Sequence, residues 1–366
     1  MKVAIVHEWL DSYAGSERVV EQLLAEWPEA DLFVICDFMP EAERGFLRGK
    51  PVKTSFIQRL PFARKHFRKY LGLMPIAIEQ FDMSGYDLVL SSSHAVAKGV
   101  LTGPGQLHVS YVHSPMRYAW DLQHQYLREA KMEHGLKGAY TRHLLHKLRI
   151  WDRASAMNPD VVVANSTYIG ERIRKAWRRD SITVHPPVDV DRFALKEDKQ
   201  DFFLVASRMV PYKRIELIAE AFRRMPGRRL VVVGDGTNAP MVREAAAGAP
   251  NIEFRGRVGT AELVRLTQDA CACVFAAEED FGIATVEAQA CGTPVIAFGK
   301  GGARDIVIPG QTGSFFDTQS ADAIIAAVES FDTLSIAPAA CRANAERFSH
   351  GAFRAAMRRV VEEAMR

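Results

Sequence analysis

The sequence predicts two doubly wound α/β domains, and three observations carry that expectation. Apolar, β-branched runs alternate with amphipathic helical stretches along the chain, the pattern of parallel strands covered by helices. Its 366 residues suit two ordinary domains better than one small core. Between two such alternating series lies "VHPPVDVDRFALKEDKQD", residues 184–201, rich in proline and charge.

In the first series, "KVAIVHEW", "DLFVICDF", "YDLVLSSS", "HVSYVHS" and "DVVVANS" read as buried strands. After the first of them, "GSERVVEQLLAEW" reads as a helix, with Val19, Leu23 and Leu24 on one face and Ser16 as N-cap. In the second series, "DFFLVASRM", "RRLVVVGDG", "IEFRGRV", "ACVFAA" and "TPVIAFG" repeat the strand pattern. The boundaries that follow are 1–185 for the first domain, 186–200 for a linker and 201–345 for the second domain. The last stretch, 346–366, reads as a helix able to pack back on the first domain. Ligands of doubly wound sheets bind beyond the carboxyl ends of the strands, where strand order reverses, so a cleft between the domains is expected.

Composition narrows the function. An apolar fraction of 48%, with 25% charged residues, is that of a soluble globular protein. A net charge of +3 is too even for a dedicated nucleic-acid binder. The cysteines Cys36, Cys271, Cys273, Cys291 and Cys341 form no CxxC pair and sit in apolar contexts, as buried free thiols of a reducing cytoplasm do. "MKVAIVHEWL" lacks a small-residue cleavage site and reads as a strand, not a signal peptide. No run approaches the roughly 18 apolar residues that span a bilayer.

Two stretches carry chemistry. In "SRMVPYKRIELIAEAF", Arg208 and Lys213 flank a strand-to-helix turn, with the helix expected after Pro211. Backbone amides at a helix start attract anions, and two adjacent cations suit a diphosphate. In "EEDFGIATVEAQACGTPVIAFGKGG", Glu279 precedes a helix that begins near Ile283, and Glu287 lies about two turns inside it. Carboxylates accept hydrogen bonds from the vicinal hydroxyls of a ribose or hexose. The amides of Phe281, Gly282 and Ile283 sit at the helix start, where an anion is favoured. Each stretch alone has a plain alternative, a solvated basic turn or a pair of surface glutamates.

Taken together, Glu279-x7-Glu287 and "SRMVPYKR" resemble the retaining glycosyltransferases of family 4. "AGSERVV", "YVHSPMRYAWD", "VVVANSTYIGERI", "PPVDVDRF", "GDG" and "EFRGRV" extend the resemblance in order along nearly the whole chain. It implies the GT-B fold, two Rossmann-like domains facing a cleft, and is strongest to a mannosyltransferase-like branch of bacterial surface polysaccharide synthesis. By resemblance, Arg208 and Lys213 bind the donor diphosphate, Glu287 the nucleotide ribose and Glu279 hydroxyls of the transferred sugar, near the amides of Phe281, Gly282 and Ile283. Val258 sits against the base, Gly15 lets a first-domain loop approach the phosphates, and His113 lies over the sugar. The chain departs from the family pattern at Ala14, where a second glycine is usual, and at Asp280, where a glutamate-glycine pair is usual.

Around His113, the residues Arg117, Tyr118, Trp120 and Asp121 suggest a sugar platform. His7 and Glu8, on the first strand, stand between capping, packing and a functional role. Asp189-x-Asp191 resembles a metal-binding DxD but lies in the linker, and Arg208 with Lys213 offers charge neutralisation without metal. No cofactor and no metal requirement are therefore expected beyond the nucleotide-sugar substrate. The 57–71 segment interleaves Arg59, Arg64, Lys65, Arg68 and Lys69 with apolar residues, as a peripheral contact with an anionic membrane would; a helix packed on the first domain would read the same way. The expected location is the cytoplasm, or the inner face of the plasma membrane.

The activity expected is transfer of a hexosyl group, first of all mannose from GDP-mannose, to a saccharide or lipid-linked acceptor with anomeric configuration retained. A dinucleotide oxidoreductase would need G-x-G-x-x-G after the first strand, and "VHEWLDSYAGSE" does not supply it. A catalytically silent sugar-nucleotide binder and a sugar-nucleotide epimerase remain as alternatives.

Overall fold

The computed structural model describes residues 1–366 and divides them into two compact units. The first comprises Met1–Pro186 with Phe353–Arg366, and the second Pro187–Ala352.

The first unit is built on a seven-stranded parallel sheet. Its strands are β1 (Val3–Leu10), β2 (Asp31–Asp37), β3 (Val52–Thr54), β4 (Leu88–Ser93), β5 (Leu107–Val112), β6 (Val161–Ala164) and β7 (Ile182–Thr183). They lie in the order β3-β2-β1-β4-β5-β6-β7. Central strands are apolar on both faces because helices cover both. Along β1, Val3 and Ile5 join one core cluster, while Ala4 and Val6 join the cluster on the opposite face. The edge strands β3 and β7 are short and partly exposed, and neither emerges from the sequence pattern.

The helix Gly15–Glu26 follows β1. Its N-cap is Ala14 rather than the predicted Ser16. Glu17 supplies the capping contact instead: its Oε2 accepts the Ala14 amide at 3.0 Å and the Ser16 hydroxyl at 3.0 Å. Ala14 has φ −136°, so the chain turns here without the left-handed backbone that would call for a second glycine.

A C-terminal helix, His350–Ala364, places Phe353, Met357, Val360 and Val361 in the same core cluster as Val19 and Leu23 of the first unit. Arg354 and Arg358 of this helix donate to Gln22 and Glu26, each at 2.5 Å.

The 57–71 segment is a series of short turns, Phe56–Arg59, Ala63–His66 and Phe67–Leu73, rather than one helix. Pro61 and a left-handed Phe62, φ 56°, interrupt it. Ile57, Ala63 and Phe67 are buried, whereas Phe62 is 79% exposed beside exposed Arg59, Arg64, Lys65 and Lys69. Arg68 instead pairs with Asp11 at 2.6 Å and lies over the Phe67 ring.

The second unit holds six parallel strands, β8 (Gln200–Ala206), β9 (Leu230–Val233), β10 (Ile252–Gly256), β11 (Ala270–Phe275), β12 (Val295–Phe298) and β13 (Gly313–Phe316). Their order is β10-β9-β8-β11-β12-β13. Phe203 and Val205 of β8 enter one cluster and Phe202 and Leu204 the other. Residues 187–199 are part of this unit: Val188, Val190 and Phe193 are buried with Phe281, Val286 and Phe348, and Val188 bridges to Ser349. Proline and charge in that stretch therefore mark a packed extended segment with a short helical turn, not a loose linker.

Candidate active site

Strand order reverses once in each sheet, between β1 and β4 in the first and between β8 and β11 in the second. Loops leaving the carboxyl ends of such a strand pair diverge to opposite sides and leave a crevice. Gly15, Arg208, Lys213 and Glu279 follow those strands, whereas His113 follows β5 and Val258 follows β10.

In the second unit, Arg208 is exposed two residues past the end of β8. Pro211–Lys213 forms a single 3₁₀ turn, Arg214 takes a left-handed conformation, φ 53°, and the helix proper spans Ile215–Arg223. Lys213 thus lies in the turn ahead of the helix, not in its first turn as predicted from Pro211. Glu279 follows β11, and its Oε1 lies 2.5 Å from Lys213 Nζ. Both side chains are largely shielded, at 16% and 26% exposure, which strengthens the attraction. The structure therefore joins the two sequence motifs in one ion pair.

Two close backbone approaches hold these loops, and each depends on glycine. A Cβ on Gly301 would meet the Glu279 carbonyl oxygen at 2.4 Å, and one on Gly302 would meet Phe281 Cα at 2.3 Å. The Gly302 amide donates to the Glu279 carbonyl at 2.9 Å, and Glu279 and Gly301 form an isolated β-bridge. Likewise a Cβ on Gly234 would meet the Ser207 carbonyl oxygen at 1.9 Å, and one on Gly236 the Met209 carbonyl oxygen at 2.3 Å. The glycines of "GDG" and "GKGG" set the positions of Arg208 and Glu279, a role their sequence context signalled only as turns.

Gly282, φ 104°, is the N-cap of the helix Ile283–Ala290 and supplies no side-chain cap. Phe281 is buried against Phe348, with ring centroids 5.5 Å apart, and fixes the approach to the helix. Glu287 is half-buried within that helix, and Val258 is half-buried in the loop after β10, packed against the same core cluster as Leu263 and Leu266. Asp189 is the N-cap residue of the 190–192 turn and Asp191 lies within it, and Arg342 anchors this turn through the Val190 and Phe193 carbonyls at 2.8 and 2.6 Å.

In the first unit, Gly15 is the first residue of the helix after β1, and His113 follows β5 directly. His113 Nε2 lies 2.9 Å from Ser92 Oγ, and its backbone carbonyl accepts from Asn165 at 3.0 Å. Burial and the neighbouring His94 and His7 hold its pKa well below the ordinary histidine value. His94 lies edge-on to Trp9, with centroids 4.8 Å apart.

Glu8 has a capping role. Its fully buried carboxylate accepts the amides of His94, Ala95, Val96 and Ala97 at 2.7–3.0 Å and the Ser93 hydroxyl at 3.2 Å. Burial alone would raise its pKa; the charge of His94 and the Ala97, Val96 and Ala95 amides outweigh that and lower it. The anion-holding amides at the end of β4 are therefore occupied by the protein's own carboxylate.

The predicted sugar platform is mainly scaffold. Trp120 and Trp177 donate their indole N–H groups to Asp152 Oδ2 at 2.7 and 2.6 Å, and buried Lys98 pairs with Asp152 Oδ1 at 2.6 Å. Asp121 pairs with Arg172 at 2.6 Å, and burial raises the Tyr118 hydroxyl pKa. Sequence reasoning passed over Glu17 and Ser92, although the glutamate at the third helical position was a legible capping signal.

Both sheets and their switch points define the GT-B fold, and solved structures of that architecture match over the whole chain. The Anabaena protein HepE in complex with UDP superposes with a TM-score of 0.69 at 16% identity, covering 99% of this chain and 100% of that one. The lipopolysaccharide outer core galactosyltransferase WaaB gives 0.71 at 16% identity over 99% of each chain.

The family model "Glycosyltransferase Family 4" matches residues 13–192, and "Glycosyl transferases group 1" matches 188–348. The chain belongs to glycosyltransferase family 4. The GDP-mannose-dependent alpha-(1-6)-phosphatidylinositol monomannoside mannosyltransferase of Mycolicibacterium smegmatis is 32% identical over 46% of this chain and 52% of its own. A D-inositol 3-phosphate glycosyltransferase of Mycobacteroides abscessus is 31% identical over 37% of this chain and 35% of its own. The chain thus spans about half or less of the length of these relatives.

Proposed function

We propose that the protein is a retaining hexosyltransferase that moves a hexosyl group from a nucleotide diphosphate sugar to a hydroxyl of a saccharide or lipid-linked saccharide. The observation that carries this is the Lys213–Glu279 pair, joining the loops after β8 and β11 at the point where strand order reverses in the second sheet. Arg208 and Lys213 bind the diphosphate, with the Phe281, Gly282 and Ile283 amides nearby. Glu279 holds hydroxyls of the sugar, Glu287 the ribose, and Val258 the base. On the first unit, His113 and the Gly15 loop serve the sugar and the phosphates.

The acceptor hydroxyl attacks the anomeric carbon on the face from which the diphosphate departs. The carbon–oxygen bond to phosphate breaks, the new glycosidic bond forms, and the departing phosphate oxygen takes the acceptor proton. Arg208 and Lys213 stabilise the charge that develops, so no divalent ion is needed in this scheme. Each charge-assisted contact contributes about 1.5–3 kcal/mol, against about 8 kcal/mol for micromolar binding. Two such contacts together with base and ribose contacts are sufficient.

Mannose carried on GDP is the first donor to test, supported by the GDP-mannose-dependent relative in Mycolicibacterium smegmatis. A uridine donor is the second, supported by the UDP bound in HepE. Calorimetric titration with GDP-mannose, UDP-glucose and ADP-glucose in the presence of EDTA tests the site. Micromolar binding of one donor, weakened at least tenfold by Lys213→Ala and Glu287→Ala, is the expected result. Donor conversion with no acceptor present would mark an epimerase, binding without turnover on any acceptor a silent partner, and an inverted product would overturn the mechanism.

The exposed Phe62 with Arg59, Arg64, Lys65 and Lys69 supports peripheral attachment of the first unit to anionic lipid, at about 1 kcal/mol per cation near the surface. Vesicles containing phosphatidylglycerol should co-sediment the protein, and Phe62→Ser with Lys65→Glu should release it. No helix is long and apolar enough to cross a membrane.

A further inference from the structure

A continuous line of side chains runs from the helix after β1 to His113. Glu17 Oε1 lies 3.3 Å from His7 Nε2, His7 Nδ1 lies 3.2 Å from both Ser92 Oγ and the Ser92 carbonyl oxygen, and Ser92 Oγ lies 2.9 Å from His113 Nε2. Strand register makes the line: His7 of β1 is paired with Ser92 of β4, and the His113 amide donates to the Ser93 carbonyl at 2.8 Å. His7, Glu17 and Ser92 are all buried.

We propose that Glu17, His7 and Ser92 are positioning residues that couple the protonation of His7 to the tautomer of His113. The inference rests on the assignment of His113 to the reaction. Its logic is one of donors and acceptors. An ionised Glu17 can only accept, so His7 carries a proton on Nε2. When His7 also holds a proton on Nδ1, it donates to Ser92. The Ser92 hydroxyl is then turned towards His113 Nε2, and neutral His113 keeps its proton on Nδ1. When His7 gives up the Nδ1 proton, Ser92 donates to His7 instead. His113 must then donate from Nε2, which leaves Nδ1 as an acceptor. The same ring nitrogen of His113 is thereby a donor in one state and an acceptor in the other. A sugar hydroxyl meeting it finds opposite partners in the two states.

Several groups bias the balance. Glu17, from the helix after β1, has its pKa set at about 2: burial opposes ionisation, but the bonds to His7 and to Ser16 favour it more. His94 lies on the other side, its ring centroid 6.2 Å from that of His7 and 6.2 Å from that of His113. Burial holds the His94 pKa below the ordinary histidine value, Glu8 acting to raise it and His7 to lower it further. The Tyr111 ring packs against His113, with centroids 5.3 Å apart.

Nitrogen-15 spectra of the histidine rings in the unliganded protein, from pH 5 to 9, test the coupling without any substrate. The Nε2 and Nδ1 shifts of His113 are expected to exchange character whenever the Nδ1 signal of His7 does. Glu17→Gln, whose amide can donate as well as accept, is expected to move that exchange. In Ser92→Ala, His113 should no longer follow His7, and Glu17→Gln should have no further effect on it. A His113 tautomer unchanged by Glu17→Gln throughout the range, or one that still follows His7 in Ser92→Ala, overturns the coupling.

Turnover supplies the second arm. Ser92→Ala should lower kcat at least tenfold with donor KM unchanged, and a full kcat would overturn the positioning role even where the spectra agree. Failure of the hexosyltransferase assignment is read separately, as absence of donor binding and turnover in the parent protein.

Discussion

In the proposed donor site, Lys213 would meet an incoming diphosphate with its charge already answered by Glu279. A nucleoside diphosphate without sugar must compete with that carboxylate, whereas a sugar donor offers it hydroxyls in exchange. Glu279→Gln is therefore expected to tighten binding of GDP alone several-fold while erasing the preference for GDP-mannose over GDP; titration of the two ligands measures both. The glycine contacts make a companion prediction. Gly302→Ala places a methyl 2.3 Å from Phe281 Cα, where only backbone can give way. It should lower donor affinity at least tenfold by displacing the Glu279 loop, whereas Gly105→Ala, with no atom within 4 Å of the new methyl, should leave affinity unchanged.

Elements were legible in proportion to how fully they are buried. Strands such as β1, β4 and β8 announce themselves because both faces are apolar. β3 and β7 run for three and two residues at the sheet edges, too short for any periodicity to register. β13, "GSFF", was hidden because a glycine at its start allows close passage by the Val295 carbonyl, a tertiary fact with no local signature. Arg208, Lys213 and Glu279 lie on loops after strand ends, as their sequence context implies, but the direct ion pair required the strand order. Trp120 is half-buried, and its bond to Asp152, which also holds Lys98, ties it to the scaffold through residues distant in sequence. Replacing Asp152 by Asn leaves Lys98 charged in a dry environment and should cost about 3–5 kcal/mol, read as faster hydrogen exchange in β4–β6. Lys98→Met with Asp152→Leu should recover part of that loss.

Acid acts on the first unit as a whole. His108, buried beside Ser91, has its pKa lowered to about 4 chiefly by burial. The folded unit prefers it neutral, so its contribution is complete above pH 6.5 or so and declines as the pH falls towards 4. Glu17, with a folded value near 2, loses its contribution only between about pH 4.5 and 2. Unfolding of the first unit should therefore become easier in two stages on acidification, and His108→Gln should shrink the earlier one, to which buried His94 and His113 also contribute; chemical denaturation from pH 7.5 to 3 follows both. Donor binding should instead protect the second unit, by about 2.7 kcal/mol at one hundred times the dissociation constant, visible as slowed hydrogen exchange in β8 and β11.

The first unit is discontinuous in sequence, since Phe353, Met357, Val360 and Val361 fill its core from beyond the second unit. During synthesis the ribosome must therefore deliver all of residues 187–352 before the first unit can close. Its nascent form would wait with an open apolar seam against Val19, Leu23 and Tyr111 while the later unit matures. That ordering gives chaperones a defined interval and a defined surface to guard, and it ties completion of the earlier-made half to successful translation of the later one.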